Sequence, residues 1–158
     1  MLATMVEVGQ RAPQFSLPDA DMESVELGGF VGKRNVVLYF YLKDGSPGCA
    51  AEAIEFTEAE GEFAKRNTIV LGVSADDCLS HAEFRDEHGI SVTLLADDGG
   101  EVCQQYGVWV EREAQGATRH VVQRSTFVID QRGIVRHALY GVTPRGHARQ
   151  VLDLVDTL

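Results

Sequence analysis

The chain has 158 residues, 44% hydrophobic and 24% charged, a composition that suits one soluble domain with a buried core. Its 24 acidic against 14 basic side chains leave a net charge of -10, which argues against nucleic acid or an anionic membrane as partner. No apolar run approaches the ~18 residues of a membrane span, and no basic stretch followed by an apolar one opens the chain. Neither a membrane anchor nor a secretory leader is therefore expected.

In chain order, the stretch through Pro18 reads as irregular with one short extended piece, and Val25-Glu26-Leu27 as a small edge strand. Val36-Val37-Leu38-Tyr39-Phe40-Tyr41 is a run of β-branched and aromatic residues closed by turn residues, the pattern of a buried strand. Lys43-Asp44-Gly45-Ser46-Pro47-Gly48-Cys49 follows, and then a segment of good helix formers that reaches Lys65 or Arg66. Ser46 reads as the N-cap of that helix and Pro47 as its first residue. Cys49, Ala53, Phe56 and Phe63 share one face of it. Thr68 to Val73 is a second buried strand, and Asp76 or Asp77 caps a helix that runs to about His88 and closes at Gly89. Val92 to Ala96 is a third strand, followed by a turn and a short helix containing Cys103 and Tyr106. Ser125 to Asp130 and Ile134 to Leu139 read as a hairpin around Gln131-Arg132-Gly133. A last amphipathic helix starts at Pro144 and presents Ala148, Val151, Leu152 and Val155. Alternating strands and helices, then a hairpin and a closing helix, imply an α/β protein whose mixed central sheet is flanked by helices.

Cys49 is the most informative residue. It falls in the first helical turn, where backbone N–H groups lack intrahelical partners and the helix dipole favours an anion. A free thiol titrates near about 8.5, and a helix N-terminus is one of the settings that lowers this value. On position alone, Cys49 reads either as a nucleophile or as small apolar filler. The three cysteines lie 29 and 25 residues apart (49 to 78, 78 to 103), so no pair forms a CxxC or zinc-ligand spacing. They suit a reducing cytoplasm better than a disulfide scaffold. Neither a metal nor a cofactor is expected.

Ser46-Pro47-Gly48-Cys49, with Tyr39-Phe40-Tyr41 and Lys43-Asp44 before it and Glu52-Ala53 after it, resembles the active-site segment of the peroxiredoxins. The group it resembles most is the bacterioferritin comigratory protein, or Q-type, group. The resemblance extends along the chain in order, through Val8 to Asp19, Leu71-Gly72-Val73-Ser74, Ser80-His81, Tyr106 to Trp109, Arg124 to Asp130 and Gly146-His147-Ala148. It implies a thioredoxin fold over residues 1–158, with insertions at the N-terminus and between Leu95 and Trp109. It also implies a thiol-dependent peroxidase that reduces hydrogen peroxide and organic hydroperoxides through a cysteine sulfenic acid. Its partners would be the peroxide and a thioredoxin-like or other thiol reductant, and the protein would be a monomer or weak homodimer.

By the same resemblance, Arg124 is the guanidinium that stabilises the Cys49 thiolate and the oxygens of the transition state. Ser46 stands at the family's hydroxyl position, where threonine is commoner, and Glu52 at a position that helps hold the arginine. Two departures stand out. Leu42 occupies the place of a usual proline, and Ile54 the place of a frequent second cysteine. Resolution of the sulfenic acid therefore falls to Cys78, Cys103 or an external thiol. Cys78 lies in the first turn after a neighbouring strand, on the edge expected to carry the site, although it shares a helix face with Ala82 and the Arg85 stem. Cys103 follows the next strand out and is expected to lie farther away. Competing readings are a thioredoxin-like disulfide reductase and a non-enzymatic binding or holdase module.

Overall fold

The computed structural model describes residues 5–158. Its centre is a five-stranded sheet of β3 (Asn35–Phe40), β4 (Thr68–Ser74), β5 (Thr93–Ala96), β8 (Ser125–Ile129) and β9 (Val135–Tyr140), in the order β5-β4-β3-β8-β9. β3, β4 and β5 run parallel, while β8 and β9 are antiparallel to their neighbours. Helices α1 (Pro47–Lys65), α2 (Cys78–His88), α3 (Glu101–Gln105) and α4 (His147–Val155) flank it. The expected mixed α/β architecture is the one observed.

Alternation along β3 divides the core. Val37, Tyr39 and Tyr41 face one layer with Cys49, Phe56 and Phe63 of α1, Phe84 of α2 and Val151 of α4. Val36, Leu38 and Phe40 face the other layer with Leu17, Val102, Cys103 and Tyr106. Successive strand residues point to opposite faces, so both layers follow from one apolar run. Phe56 and Phe63 are fully buried, and each such side chain contributes about 1.5–3 kcal/mol. Tyr39 stacks on Phe56 with ring centroids 4.6 Å apart, which sets α1 against the sheet. Across the ladder Tyr39 pairs with Gly72, where a Cβ would stand 2.7 Å from the phenol ring. Only glycine there leaves room for the ring.

Element boundaries shift in places. The small edge strand is β2 (Ser24–Glu26), which pairs with β1 (Ser16–Pro18) in a hairpin, and Leu27 already belongs to a 3₁₀ turn. Helix α4 begins at His147 rather than Pro144, because Gly146 adopts φ +76° and breaks the helical path between them. The segment after Trp109 holds a hairpin that the sequence pattern does not announce, β6 (Trp109–Ala114) and β7 (Ala117–Val122). Its turn residues Gln115 and Gly116 have φ of 54° and 77°, the paired left-handed geometry of a two-residue hairpin loop.

Candidate active site

The parallel strands end at one edge of the sheet, and the loop leaving β3 delivers Cys49 there. Ser46 has the extended backbone of an N-cap (φ -73°, ψ 143°), and its Oγ accepts a hydrogen bond from the Cys49 N–H at 3.3 Å. Pro47 opens α1 without a wasted donor, as the sequence predicts. Cys49 is only 1% exposed, so its sulfur lies beneath the surface of the helix start.

Arg124 reaches this sulfur from the other side. Antiparallel pairing sets Ser125, the first residue of β8, opposite Phe40, the last residue of β3. Arg124 therefore sits beside the loop that carries Cys49, 75 residues away in sequence. Its Nη2 donates to Cys49 Sγ at 3.4 Å and its Nη1 to Glu52 Oε1 at 2.8 Å. One planar guanidinium thus spans sulfur and carboxylate, a geometry that a lysine cannot reproduce. A Cβ at Gly48 would stand 3.2 Å from Nη2, so glycine keeps the approach open. Burial alone would lower the arginine's pKa, but Glu52 and Cys49 outweigh it and hold the group above its ordinary value. Four of the five residues expected at the site, Cys49, Ser46, Arg124 and Glu52, form one cluster.

Cys78 stands apart from that cluster, as the first residue of α2. It is half-buried, and partial burial together with Asp77, Asp19 and Asp98 raises its pKa. Cys103 is fully buried in the opposite core layer from Cys49. Burial and then Asp97 push its thiol far above the ordinary range. All three cysteines are free.

The AhpC/TSA family model matches residues 8–138, most of the chain. The chain belongs to the AhpC/TSA family. It is 38% identical over 147 residues to a putative peroxiredoxin bcp of Coxiella burnetii, covering 93% of this chain and 97% of that one. It is 36% identical over 148 residues to peroxiredoxin Bcp of Escherichia coli K12, covering 94% of both. The Xanthomonas campestris bacterioferritin comigratory protein, described for its alkyl peroxide reduction activity, superposes with a TM-score of 0.86 at 31% identity over 90% of each chain. This peroxiredoxin is a thiol-dependent peroxidase with a thioredoxin fold, as the sequence resemblance implies. Its substrate is a peroxide and its electrons come from a thiol. The place that a CxxC reductase fills with its second cysteine holds the buried Glu52.

Glu52 is itself unusual. Burial pushes its pKa up to about 7 from 4.5, against the pull of Arg124, and its Oε2 has no hydrogen-bond partner among the described residues. The folded protein thus keeps this proton up to about 7, whereas an unfolded glutamate releases it near 4.5. The group's contribution to stability is full below that lower value and declines as pH rises to about 7. Glu52→Gln removes the decline. Between pH 4.5 and 7 the variant should gain on wild type by about 2–3 kcal/mol, about 4–12 °C in Tm. A Tm difference that stays constant across this range would show that Glu52 does not titrate there.

A second polar cluster adjoins the site and is not legible in the residue pattern. Asp44, in the loop before Cys49, accepts from Tyr41 Oη at 2.7 Å, from Ser80 Oγ at 2.8 Å and from His81 Nδ1 at 2.7 Å. Its own N–H donates to Asp76 Oδ2 at 2.8 Å, and Ser74 Oγ donates to the same oxygen at 2.7 Å. Burial would raise the Asp44 pKa, but the hydrogen bonds from His81, Tyr41 and Ser80 bring it below the ordinary value. Ligand atoms of Asp44, Asp76 and His81 lie within 4.8 Å of one another. Both His81 ring nitrogens, however, are already engaged within the protein, Nδ1 with Asp44 Oδ2 and Nε2 with the Leu95 carbonyl at 2.9 Å. Tyr41, read from sequence as the end of a buried strand, both packs and donates. The sequence signal for this cluster is slight: a histidine on the same α2 face as the core residue Phe84, three positions on.

Proposed function

We propose that Cys49 is the sulfur that attacks the peroxide, with Arg124, Ser46 and Glu52 as its working surroundings and Cys78 as the resolving thiol. The observation that carries the reading is the single guanidinium donating to both Cys49 Sγ and Glu52 Oε1. The Cys49 thiolate attacks the terminal, hydrogen-bearing oxygen of ROOH and displaces RO⁻. An S–O bond forms, the O–O bond breaks, and the departing RO⁻ takes up a proton as ROH or water. The cysteine is left as a sulfenic acid. Arg124 and the N–H groups at the start of α1 stabilise charge on both oxygens as it develops. Ser46 Oγ, already accepting from the Cys49 N–H, keeps its own proton free to donate toward the peroxide. Glu52 fixes the fork of Arg124.

The Cys78 thiol then attacks the sulfenic sulfur. A disulfide forms and water leaves, and a thioredoxin-like or other thiol supplies two electrons to restore both thiols. Cys78 is favoured over Cys103 because α2 packs on the same sheet face as α1, whereas Cys103 is sealed in the opposite layer. The half-buried Cys78 is open to partners; the buried Cys103 is not. Hydrogen peroxide and organic hydroperoxides are the substrates, and the protein acts as a monomer or weak homodimer in the cytoplasm. The net charge of -10 suits a partner other than nucleic acid or an anionic membrane. Among the described residues, no helix is long and apolar enough to cross a membrane.

The test is peptide mapping under non-reducing conditions after one equivalent of peroxide. The expected product is a Cys49–Cys78 linked peptide. A Cys49–Cys103 link, or a stable sulfenic acid at Cys49 with no link, would sink the assignment of Cys78.

A further inference from the structure

We infer that Asp44 and His81 form a latch that holds the Cys49 loop folded, and that opening of this latch controls access to the Cys49 sulfur. The inference rests on Cys49 as the reacting sulfur but concerns what keeps it in place. Cys49 is 1% exposed, so opening of the loop between Phe40 and Pro47 is what would present its sulfur to a resolving thiol. A disulfide needs Cα atoms within about 7 Å, and Cys49 and Cys78 sit on separate helices.

Besides the Tyr41 N–H, which donates to the Val73 carbonyl, and the Tyr41 Oη, 3.3 Å from His81 Nδ1, the bonds that tether this loop converge on Asp44. Asp44 uses its N–H on Asp76 and one carboxylate oxygen on both Ser80 and His81, all in the segment from the end of β4 into α2. The latch therefore ties the loop of one cysteine to the helix that begins at the other. His81 is fully buried. Its Nδ1 lies 2.7 Å from the Asp44 carboxylate and its Nε2 2.9 Å from the Leu95 carbonyl. The contact thus sets a buried imidazole against a carboxylate whose side chain is 6% exposed. Removal of one partner leaves the polar atoms of the other buried without their hydrogen bonds, which costs more than the bond itself contributes. Asp44, His81 and their partners touch neither Cys49 nor Arg124 through any hydrogen bond, so these are positioning residues and not catalytic ones.

Two measurements test the latch without using peroxide. Because Cys49 is 1% exposed, a bulky reagent such as 5,5′-dithiobis(2-nitrobenzoate) labels it only from the open loop, so its labelling rate reads the opening equilibrium. Hydrogen exchange read by mass spectrometry then shows where the chain opens. In Asp44→Asn and His81→Gln, Cys49 labelling and exchange of amides 45–53 should accelerate by about tenfold or more, with amides 35–40 and 68–73 unchanged. Ser80→Ala removes one neutral donor and should give a smaller acceleration in the same place, about threefold, should the charge variants fold poorly. Unchanged labelling in Ser80→Ala and in whichever charge variants fold, or equal acceleration throughout β3 and β4, would overturn the latch. The peroxidase reading fails separately, if the unaltered protein does not consume peroxide.

Discussion

Serine in place of Cys49 should reduce peroxide turnover to the uncatalysed level while leaving the fold intact. The substitution exchanges one atom at a site that is 1% exposed, and the smaller hydroxyl keeps a hydrogen-bonding partner for Arg124 Nη2, now 3.4 Å from the sulfur. Stability should therefore change by no more than about 1 kcal/mol, a shift of about 2–4 °C in Tm. The chemistry has no such tolerance, because a serine hydroxyl is not ionised near neutrality without a general base beside it. The remaining thiols do not substitute. Burial and neighbouring acids raise the pKa of both, Cys103 is sealed in the core, and among the described residues no arginine donates to either sulfur. The check is peroxide consumption with excess thiol reductant, alongside a thermal melt. Near-normal turnover in a folded Cys49→Ser protein would transfer the role to another residue.

Arg124→Lys should slow the reaction with peroxide by about 10²–10³-fold, the cost of losing a donor aimed at developing charge. The native guanidinium serves two acceptors at once, Glu52 Oε1 at 2.8 Å and Cys49 Sγ at 3.4 Å. An ammonium is a single point charge on a flexible stem and cannot hold both directions. Because the positive charge stays in place, Glu52 is not left wholly uncompensated, and the loss of stability should stay near about 1–2 kcal/mol. Rate and stability thus separate. The second-order rate constant for peroxide, measured against a competing peroxidase, should fall far more than the Tm implies. An unchanged rate would place Arg124 outside the chemistry.

How much of this was legible before folding depends on the distance over which each signal acts. The start of α1 was readable because Ser46, Pro47 and Cys49 lie within four residues, and capping is a local effect. The cap of α2 was readable for the same reason: Asp77 Oδ1 accepts from Ser80 N at 2.9 Å, three residues on. The core strands announced themselves as continuous apolar runs. The hairpin β6–β7 did not, since most of its residues from Glu111 to His120 are exposed on both faces and show no alternation between apolar and polar.

Arg124 was identified by resemblance and not by any property of its neighbours in the chain. The sequence by itself determined where a reactive thiolate could sit, because a helix start is built from adjacent residues. Only the tertiary structure decided what meets that thiolate. The register of β8 on β3 brings a guanidinium to within 3.4 Å of the sulfur, and burial turns Glu52 from an ordinary surface acid into one that titrates at about 7. The packing of α2 and α3 against opposite faces of one sheet sets Cys78 and Cys103 on different sides of the core, and it closes Asp44 onto His81 across 37 residues. Each depends on strand pairing and burial between segments far apart in the chain, and no pattern of neighbouring residues encodes that distance.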